Sequence, residues 1–265
     1  MIIKLKNRAL IKVTGEDASS FLQSQFSNNI DLIKSNKIQI NAYCQHQGKI
    51  MAILWVFSKH NHFYISLPEE LKAFIIKKIN TYKMMSNVDI KDLSNQINQY
   101  GLVDEENKDA YLLKNNLSLL TTSKLVDGLK SHNLWESACI DNKIPEIFSS
   151  TSEKFTPQAL NLDIDEFGVS FSKGCYPGQE VVARMHYLGK PKRRLFNFLS
   201  ESEAIIGDSI TVSVSSSLKS SGVVLRVAKI DNHYQLSGTF EISHINDPIY
   251  LNDDLNKPLT IIDAQ

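Results

Sequence analysis

No charge of either sign predominates in this sequence: 29 Lys and Arg stand against 29 Asp and Glu in 265 residues, a formal net charge of zero. Such a chain has no wholesale electrostatic grip on nucleic acid or an anionic membrane, so any polyanion must bind at a local patch. Long apolar runs are missing too. The longest, Ile50 to Phe57, has eight residues, against the roughly 20 that a membrane-spanning helix needs. The start, Met1 to Val13, alternates charged with apolar residues and has no extended apolar stretch before a small-residue cleavage site, so a cytoplasmic location is expected. Cysteine is scarce. Cys44, Cys139 and Cys175 are three, widely spaced and without a C-x-x-C pair, which argues against a disulfide framework and a cysteine-rich zinc site. His46, His60 and His62 flank one hairpin without the spacing of metal ligands on a helix, so they are expected at the surface and no metal site is expected.

What is present is enough to fold: 42% of the residues are hydrophobic, and the length allows one large domain or two unequal ones. Ala9 to Val13 reads as a strand. Thr14-Gly15-Glu16-Asp17 then offers a cap residue with an acid three positions on, ahead of Ala18, Phe21, Leu22 and Phe26 at helical spacing. Ile38 to Tyr43 and Lys49 to Phe57 suit the two strands of a hairpin turning at Gln47-Gly48. His62 to Leu67 is a further strand, and Pro68 opens a helix with Leu71, Phe74, Ile75 and Ile79 on one face, ending near Tyr82. Residues 86 to 120 read as short strands broken by an acidic, Asn-rich turn from Asp104 to Asp109, and Leu134 to Ile140 as part of a short helix. After Lys190-Pro191 the composition shifts to β-like runs (Leu195 to Leu199, Ser209 to Val214, Gly222 to Ile230, His233 to Ser237) separated by turn residues, which predicts a small antiparallel barrel or sandwich. The Ser-rich tract Ser213 to Ser221 between two of these runs reads as a hairpin tip.

The most distinctive stretch is Phe171-Ser172-Lys173-Gly174-Cys175-Tyr176-Pro177-Gly178-Gln179-Glu180. Two glycines and a proline within five residues demand special backbone angles around one cysteine, as in a tight loop that presents its thiol. Lys173 is near enough in sequence to favour the thiolate, and Gln179 and Glu180 can hold a polar ligand or the loop itself through hydrogen bonds. Cys44 and Cys139 have no such setting and are expected in the core.

Together with Phe155 to Asp163, Gly168 to Ser170, Val181 to Arg184 and Gly189 to Leu195, this stretch resembles the signature of the YgfZ-type folate-binding proteins, relatives of the glycine-cleavage T-protein, the tetrahydrofolate-dependent aminomethyltransferase. Weaker similarity extends through Val13 to Ala18 and Phe21-Leu22-Gln23 near the start, so it covers most of the chain. The resemblance implies an α+β fold: a mixed folate-binding body over residues 1–190, then a small C-terminal antiparallel β-barrel over 191–265. It also implies a role in maintaining iron–sulfur client enzymes and, through one of them, a thiolated tRNA modification. The motif cysteine and its lysine fall on Cys175 and Lys173, and Gly174, Gly178, Gln179 and Glu180 match directly. The family's folate-contacting tryptophan falls on Trp135 and the acid that bonds the pterin ring on Asp141, in Trp135-Glu136-Ser137-Ala138-Cys139-Ile140-Asp141-Asn142-Lys143. A flat pterin offers a face for the indole and an edge of N–H donors for a carboxylate. Three departures stand out: Asp141 is a methylene shorter than glutamate, Lys143 replaces a glycine, and Arg8 lies where the family can supply a second tryptophan.

The T-protein's acidic pair, placed after a glycine matching Gly48, falls here on Ala52 and Ile53. Neither can move a proton or stabilise a cationic centre, so the expected function is that of a tetrahydrofolate-binding accessory protein for iron–sulfur enzymes. A true aminomethyltransferase or other C1-transferring enzyme is the alternative, and a thiol-transfer enzyme using Cys175 a third. Between Arg184 and Arg194 lie five cations, Arg184, Lys190, Lys192, Arg193 and Arg194, with His186 and no acid. They can meet the glutamate tail of a polyglutamyl folate, an acidic protein or RNA phosphates, or form a solvated linker. The absence of a recognised RNA module argues against direct tRNA contact. No oligomerisation signal is present, and a monomer is expected.

Overall fold

The computed structural model describes residues 1–214 and 217–262. Strands β1 (Ile2–Lys4) and β2 (Arg8–Thr14) lead into helix α1 (Ala18–Gln25). The hairpin β3 (Gln39–Cys44) and β4 (Ile50–Lys59) follows, then β5 (His62–Pro68) and α2 (Lys72–Tyr82). Residues Ile50 to Phe57 of β4 are all buried, which is why the apolar run is continuous rather than alternating: the strand lies inside the sheet with both faces covered. The order of that sheet is β3-β4-β5-β2-β6, its far edge being β6 (Asp89–Asp92). A second sheet, β1-β7-β9-β8, is completed by β7 (Asn98–Val103), β8 (Tyr111–Lys114) and β9 (Leu117–Thr122).

Helix α3 (His132–Asp141) buries Trp135, Ala138 and Cys139 against this body. A Cβ at Gly101 of β7 would stand 2.3 Å from the Trp135 ring, so only glycine admits the indole there. The C-terminal end of α3 closes through the Lys143 N–H to the Ile140 carbonyl and the Ile144 N–H to the Cys139 carbonyl, both 2.9 Å, with Lys143 left-handed at φ 52°. That is the αL position at which helices prefer glycine, and Lys143 is the residue that departs from the family's glycine.

Helix α4 (Gln179–Leu188) comes next, and then a closed barrel of β10 (Arg193–Ser200), β11 (Ser209–Val214), β12 (Ser217–Ile230), β13 (His233–Glu241), β14 (Ile249–Leu251) and β15 (Asp254–Ile261). All its pairings are antiparallel, and it closes in the order β10-β13-β12-β11-β14-β15. Phe198, Ile210, Val224, Leu236, Phe240 and Leu251 fill its interior. The fold is therefore the expected α+β body followed by a small antiparallel barrel.

One local expectation changes. The cap expected at Thr14 is not used: α1 begins at Ala18, and the Asp17 carboxylate accepts the Asn87 N–H at 2.7 Å instead of an N–H of its own helix. Gly15, at φ +117°, has the Asn87 carbonyl where a Cβ would be, so that segment crowds the turn and takes the acid. Gln179 and Glu180, which follow the Cys175 loop, form the first turn of α4. The last two barrel strands, β14 and β15, carry too weak an alternation to be read from the sequence. The expected Ser213–Ser221 hairpin is paired up to Val214 opposite Ser217, and its tip, 215–216, lies outside the described residues.

Candidate functional site

Cys175 is the exposed one of the three cysteines; Cys44 and Cys139 are buried, and burial pushes each of those two thiols up to about 12. The loop that presents Cys175 is fixed at two points. On one side, the Lys173 side chain turns inward and its ammonium donates to the carbonyls of Gln23, Phe26 and Asn28, at the end of α1. Burial pushes that ammonium down to about 8, against a weaker upward pull from Asp31. On the other side Gly178, at φ +84°, is the residue before α4, and a Cβ there would stand 2.5 Å from the Gln45 carbonyl and 2.8 Å from Gly48. Glycine is required both for the angle and for the close approach to the β3–β4 turn. Gly174 has open space around it. Lys173 thus anchors the loop; among the described residues no hydrogen bond joins it to Cys175. Gly174 and Cys175 form one wall of an open groove of about 440 Å³ that continues along Ser19, Ser20 and Gln23 of α1. Glu180 is exposed and Gln179 half-buried in the first turn of α4, where an acid suits the N-terminal end of a helix.

The residues expected around a pterin are not gathered in one place. Trp135 is 1% exposed and lies 6.2 Å, ring to ring, from Trp55. Asp141 lies six positions on, about 120° away around the helix; it is exposed and accepts from Gln235 of β13 at 3.3 Å. Trp135 instead borders a cavity of about 240 Å³ between the body and the barrel, whose lining includes Arg8, Glu136, Glu146 and Arg226 beside Asn7, His132 and Asn133. Arg8 donates from Nη1 to Glu146 and from Nε to Ser66 Oγ at 2.8 Å, and its guanidinium lies 3.5 Å above the Trp55 ring. Arg226 enters from β12 just after a bulge between Val224 and Arg226, the device by which a strand re-aims a side chain. Its Nη1 donates to Glu136 at 2.6 Å, its Nε to the Ile144 carbonyl at 2.7 Å, and its Nη2 stands 3.6 Å from Glu146.

Burial opposes ionisation of Glu136, but Arg226 and His132 outweigh it and hold the carboxyl down to about 2. For Arg226 burial works against the charge, and Glu136, Cys139 and Glu146 more than restore it, so the guanidinium is held above its ordinary value. Two cations and two anions balance. Two guanidinium nitrogens nevertheless make no hydrogen bond: Arg8 Nη2, and Arg226 Nη2, which stands only at ion-pair distance from Glu146, on side chains 8% and 2% exposed. Buried donors left in this state are rare and costly. Glu136, Glu146 and Arg226 were not picked out in the sequence because Arg226 lies 80 residues beyond the nearer of the two acids, and neither acid is set off by a motif of its own.

Comparison with known proteins decides the family. The chain is 30% identical to the tRNA-modifying protein YgfZ of Buchnera aphidicola subsp. Baizongia pistaciae over 300 aligned residues, covering 94% of each chain. It belongs to the YgfZ family. The YgfZ of Aliivibrio fischeri is 25% identical over 89% of this chain and 83% of its own. No family model matches. Among solved structures, the aminomethyltransferase T of the glycine cleavage system from Bartonella henselae matches with a TM-score of 0.67 over 99% of this chain and 85% of that one, at 11% identity. The chain therefore has the T-protein fold. Where the T-protein pair of acids would lie it has Ala52 and Ile53, both fully buried in β4. Of the five cations in the stretch after α4 begins, Arg193 pairs with Glu241 at 2.9 Å and Arg194 with Asp163 through two bonds of 2.5 and 3.1 Å. Arg184, Lys190 and Lys192 are exposed, without ion pairs among the described residues. No helix among those residues is long and apolar enough to cross a membrane.

Proposed function

We propose that this YgfZ-family chain is a folate-binding accessory protein that supports assembly or repair of iron–sulfur clusters in client enzymes, and through one of them tRNA modification. The observation that carries this reading is the contrast among the thiols: Cys175 alone is exposed, on a loop pinned by Lys173 and Gly178, while the other two are sealed in the core. A surface thiol held on a stiff loop suits encounter with another protein's cluster or cysteine, because the reacting atom is positioned in advance. The clusters are the clients' cargo. The relatives' name supports the link to tRNA, which the chain reaches through a client rather than by its own contact.

What supports folate is the chemistry of the Arg8–Arg226 cavity. A pterin head carries both acceptor and donor edges on a flat ring of about a dozen heavy atoms, a size that 240 Å³ admits. Arg8, Glu136, Glu146 and Arg226 give the lining two cations and two anions, a mixed-charge wall that suits a ring with both acceptor and donor edges, and Trp135 borders the space. Bound tetrahydrofolate would supply reducing and one-carbon chemistry; the chain's own residues bind and orient it. Transfer of an aminomethyl group is disfavoured, since Ala52 and Ile53 hold no proton to move.

The test is complementation of cells lacking their own YgfZ, read as the amount of thiolated tRNA. The chain restores the modification, and Cys175→Ala, though folded, fails to. Full restoration by Cys175→Ala would refute a chemical role for the thiol.

A further inference from the structure

Helix α4 packs on the body by one face and leaves the other in water. On the inner face Val182 is buried, its carbonyl accepts from Gln158 at 2.8 Å, and the Met185 sulfur lies 3.9 Å from the Thr156 hydroxyl. Arg184, Tyr187 and Leu188 recur at i, i+3 and i+4, so they share the outer face. Tyr187 is 67% exposed and Leu188 84%. A pair of adjacent large apolar side chains set among charges is the pattern of a protein contact. The charges are of one sign: Arg184, Lys190 and Lys192 are exposed, form no ion pair among the described residues, and have no acid among them from 181 to 192. Glu180, one turn back, is the nearest acid on that face.

This face is joined to the thiol loop. Phe171, four residues before Cys175, stacks on His186 at 3.7 Å and 17° and meets Tyr187 edge-on at 6.0 Å. The groove on which Gly174 and Cys175 open has the other sign: Glu16 and Asp31 line it and no cation does. An acidic surface is therefore drawn to the α4 side of the loop and kept off the α1 side, which sets its orientation before contact. Resting on the accessory-protein reading above, we infer that the outer face of α4, through Arg184, Tyr187, Leu188, Lys190 and Lys192, is where the client iron–sulfur enzyme docks, by an acidic surface with an apolar recess. RNA fits this face less well. The flat sides of Phe171 and His186 are stacked on one another, Tyr187 lies edge-on to both at 69° and 82°, and Leu188 has no ring, so no open ladder is offered to successive bases.

Surface plasmon resonance with the full chain tests this, the probes being the purified iron–sulfur enzyme that thiolates tRNA in the complemented cells and, separately, unmodified tRNA. The unaltered chain binds the enzyme, and binding weakens as salt is raised. Arg184→Glu, Lys190→Glu and Lys192→Glu in one chain, and Tyr187→Ser with Leu188→Ser in another, each weaken it about tenfold, with both chains folded as judged by circular dichroism. In the second variant Cys175 reacts with iodoacetamide at the unaltered rate, so the loss is one of docking and not of the thiol, and in cells both variants restore less thiolated tRNA. Enzyme binding that is absent from the unaltered chain, or undiminished in either variant, overturns the docking face and leaves the accessory role standing. Binding of tRNA in place of the enzyme, lost in the charge-reversed variant, overturns it too and makes the face an RNA contact. An unaltered chain that restores no thiolated tRNA overturns the accessory reading and the docking face with it.

Discussion

The Cys175 loop and the Arg8–Arg226 cavity are held by opposite means. The loop is fixed by its backbone: a left-handed glycine pressed against the β3–β4 turn, and a lysine whose partners are main-chain carbonyls. Its working atom is left outside. The cavity is fixed by buried side-chain charge, with four ionised groups from β2, α3, the segment after α3 and β12 neutralising one another. Its unsatisfied atoms, Arg8 Nη2 and Arg226 Nη2, are buried. Backbone-held geometry tolerates changes of charge and fails with changes of shape; charge-held geometry does the reverse. The proposed roles follow the same difference: an exposed thiol on a stiff loop suits a macromolecular partner, and a charged cavity suits a small ligand.

The largest effect expected from that contrast is at Arg226. Arg226→Met keeps the volume but strands Glu136 and Glu146 without their shared cation, and a loss of about 3–5 kcal/mol is expected, the usual result of removing one partner from a buried pair. Denaturant unfolding measures it, and a loss under about 1 kcal/mol would mean that the network does not hold the barrel to the body.

Next comes acid. The Glu136 carboxyl has its ordinary 4.5 in the unfolded chain and about 2 in the fold. A depressed carboxylate contributes stability that is fully present above about 4.5 and is lost as pH falls toward 2. The expected loss over that window is of order 3 kcal/mol, and in Glu136→Gln the decline should flatten. An unchanged pH profile would remove Glu136 from the account.

Smaller still is the loop's own test. Gly178→Ala forces a Cβ into the Gln45 carbonyl at a positive φ and should cost on the order of 2 kcal/mol, whereas Gly174→Ala, in open space, should cost under about 0.5 kcal/mol. Equal costs at the two glycines would show that the loop is not pressed against the hairpin turn.

Which features were legible in the sequence follows the same division. The Cys175 loop announces itself because glycine, proline and cysteine are adjacent in the chain and each has a backbone reason to be there. The β3–β4 hairpin, the helix after Pro68 and the change to β-runs after Pro191 are legible for the same cause: their signals are local. Lys173 was legible as important but not in its direction, since sequence distance to Cys175 says nothing of the carbonyls of Gln23, Phe26 and Asn28 waiting inside. The cavity is invisible in one dimension. Arg8, Glu146 and Arg226 are 80 residues or more apart, and only the bulge in β12 and the packing of α3 on Gly101 bring them together. Asp141 shows the converse, a residue matched by motif that the turn of α3 carries to another face.

The central claim is that thiol and ligand occupy separate sites, which share no lining residue. Both tryptophans stand at the cavity, Trp135 in its wall and Trp55 beneath Arg8, so tryptophan fluorescence reports on it alone. Titrating tetrahydrofolate into the unaltered chain and into Cys175→Ala is the most direct test. The account predicts saturable quenching with the same Kd in both; no quenching, or quenching that disappears with the thiol, would contradict it.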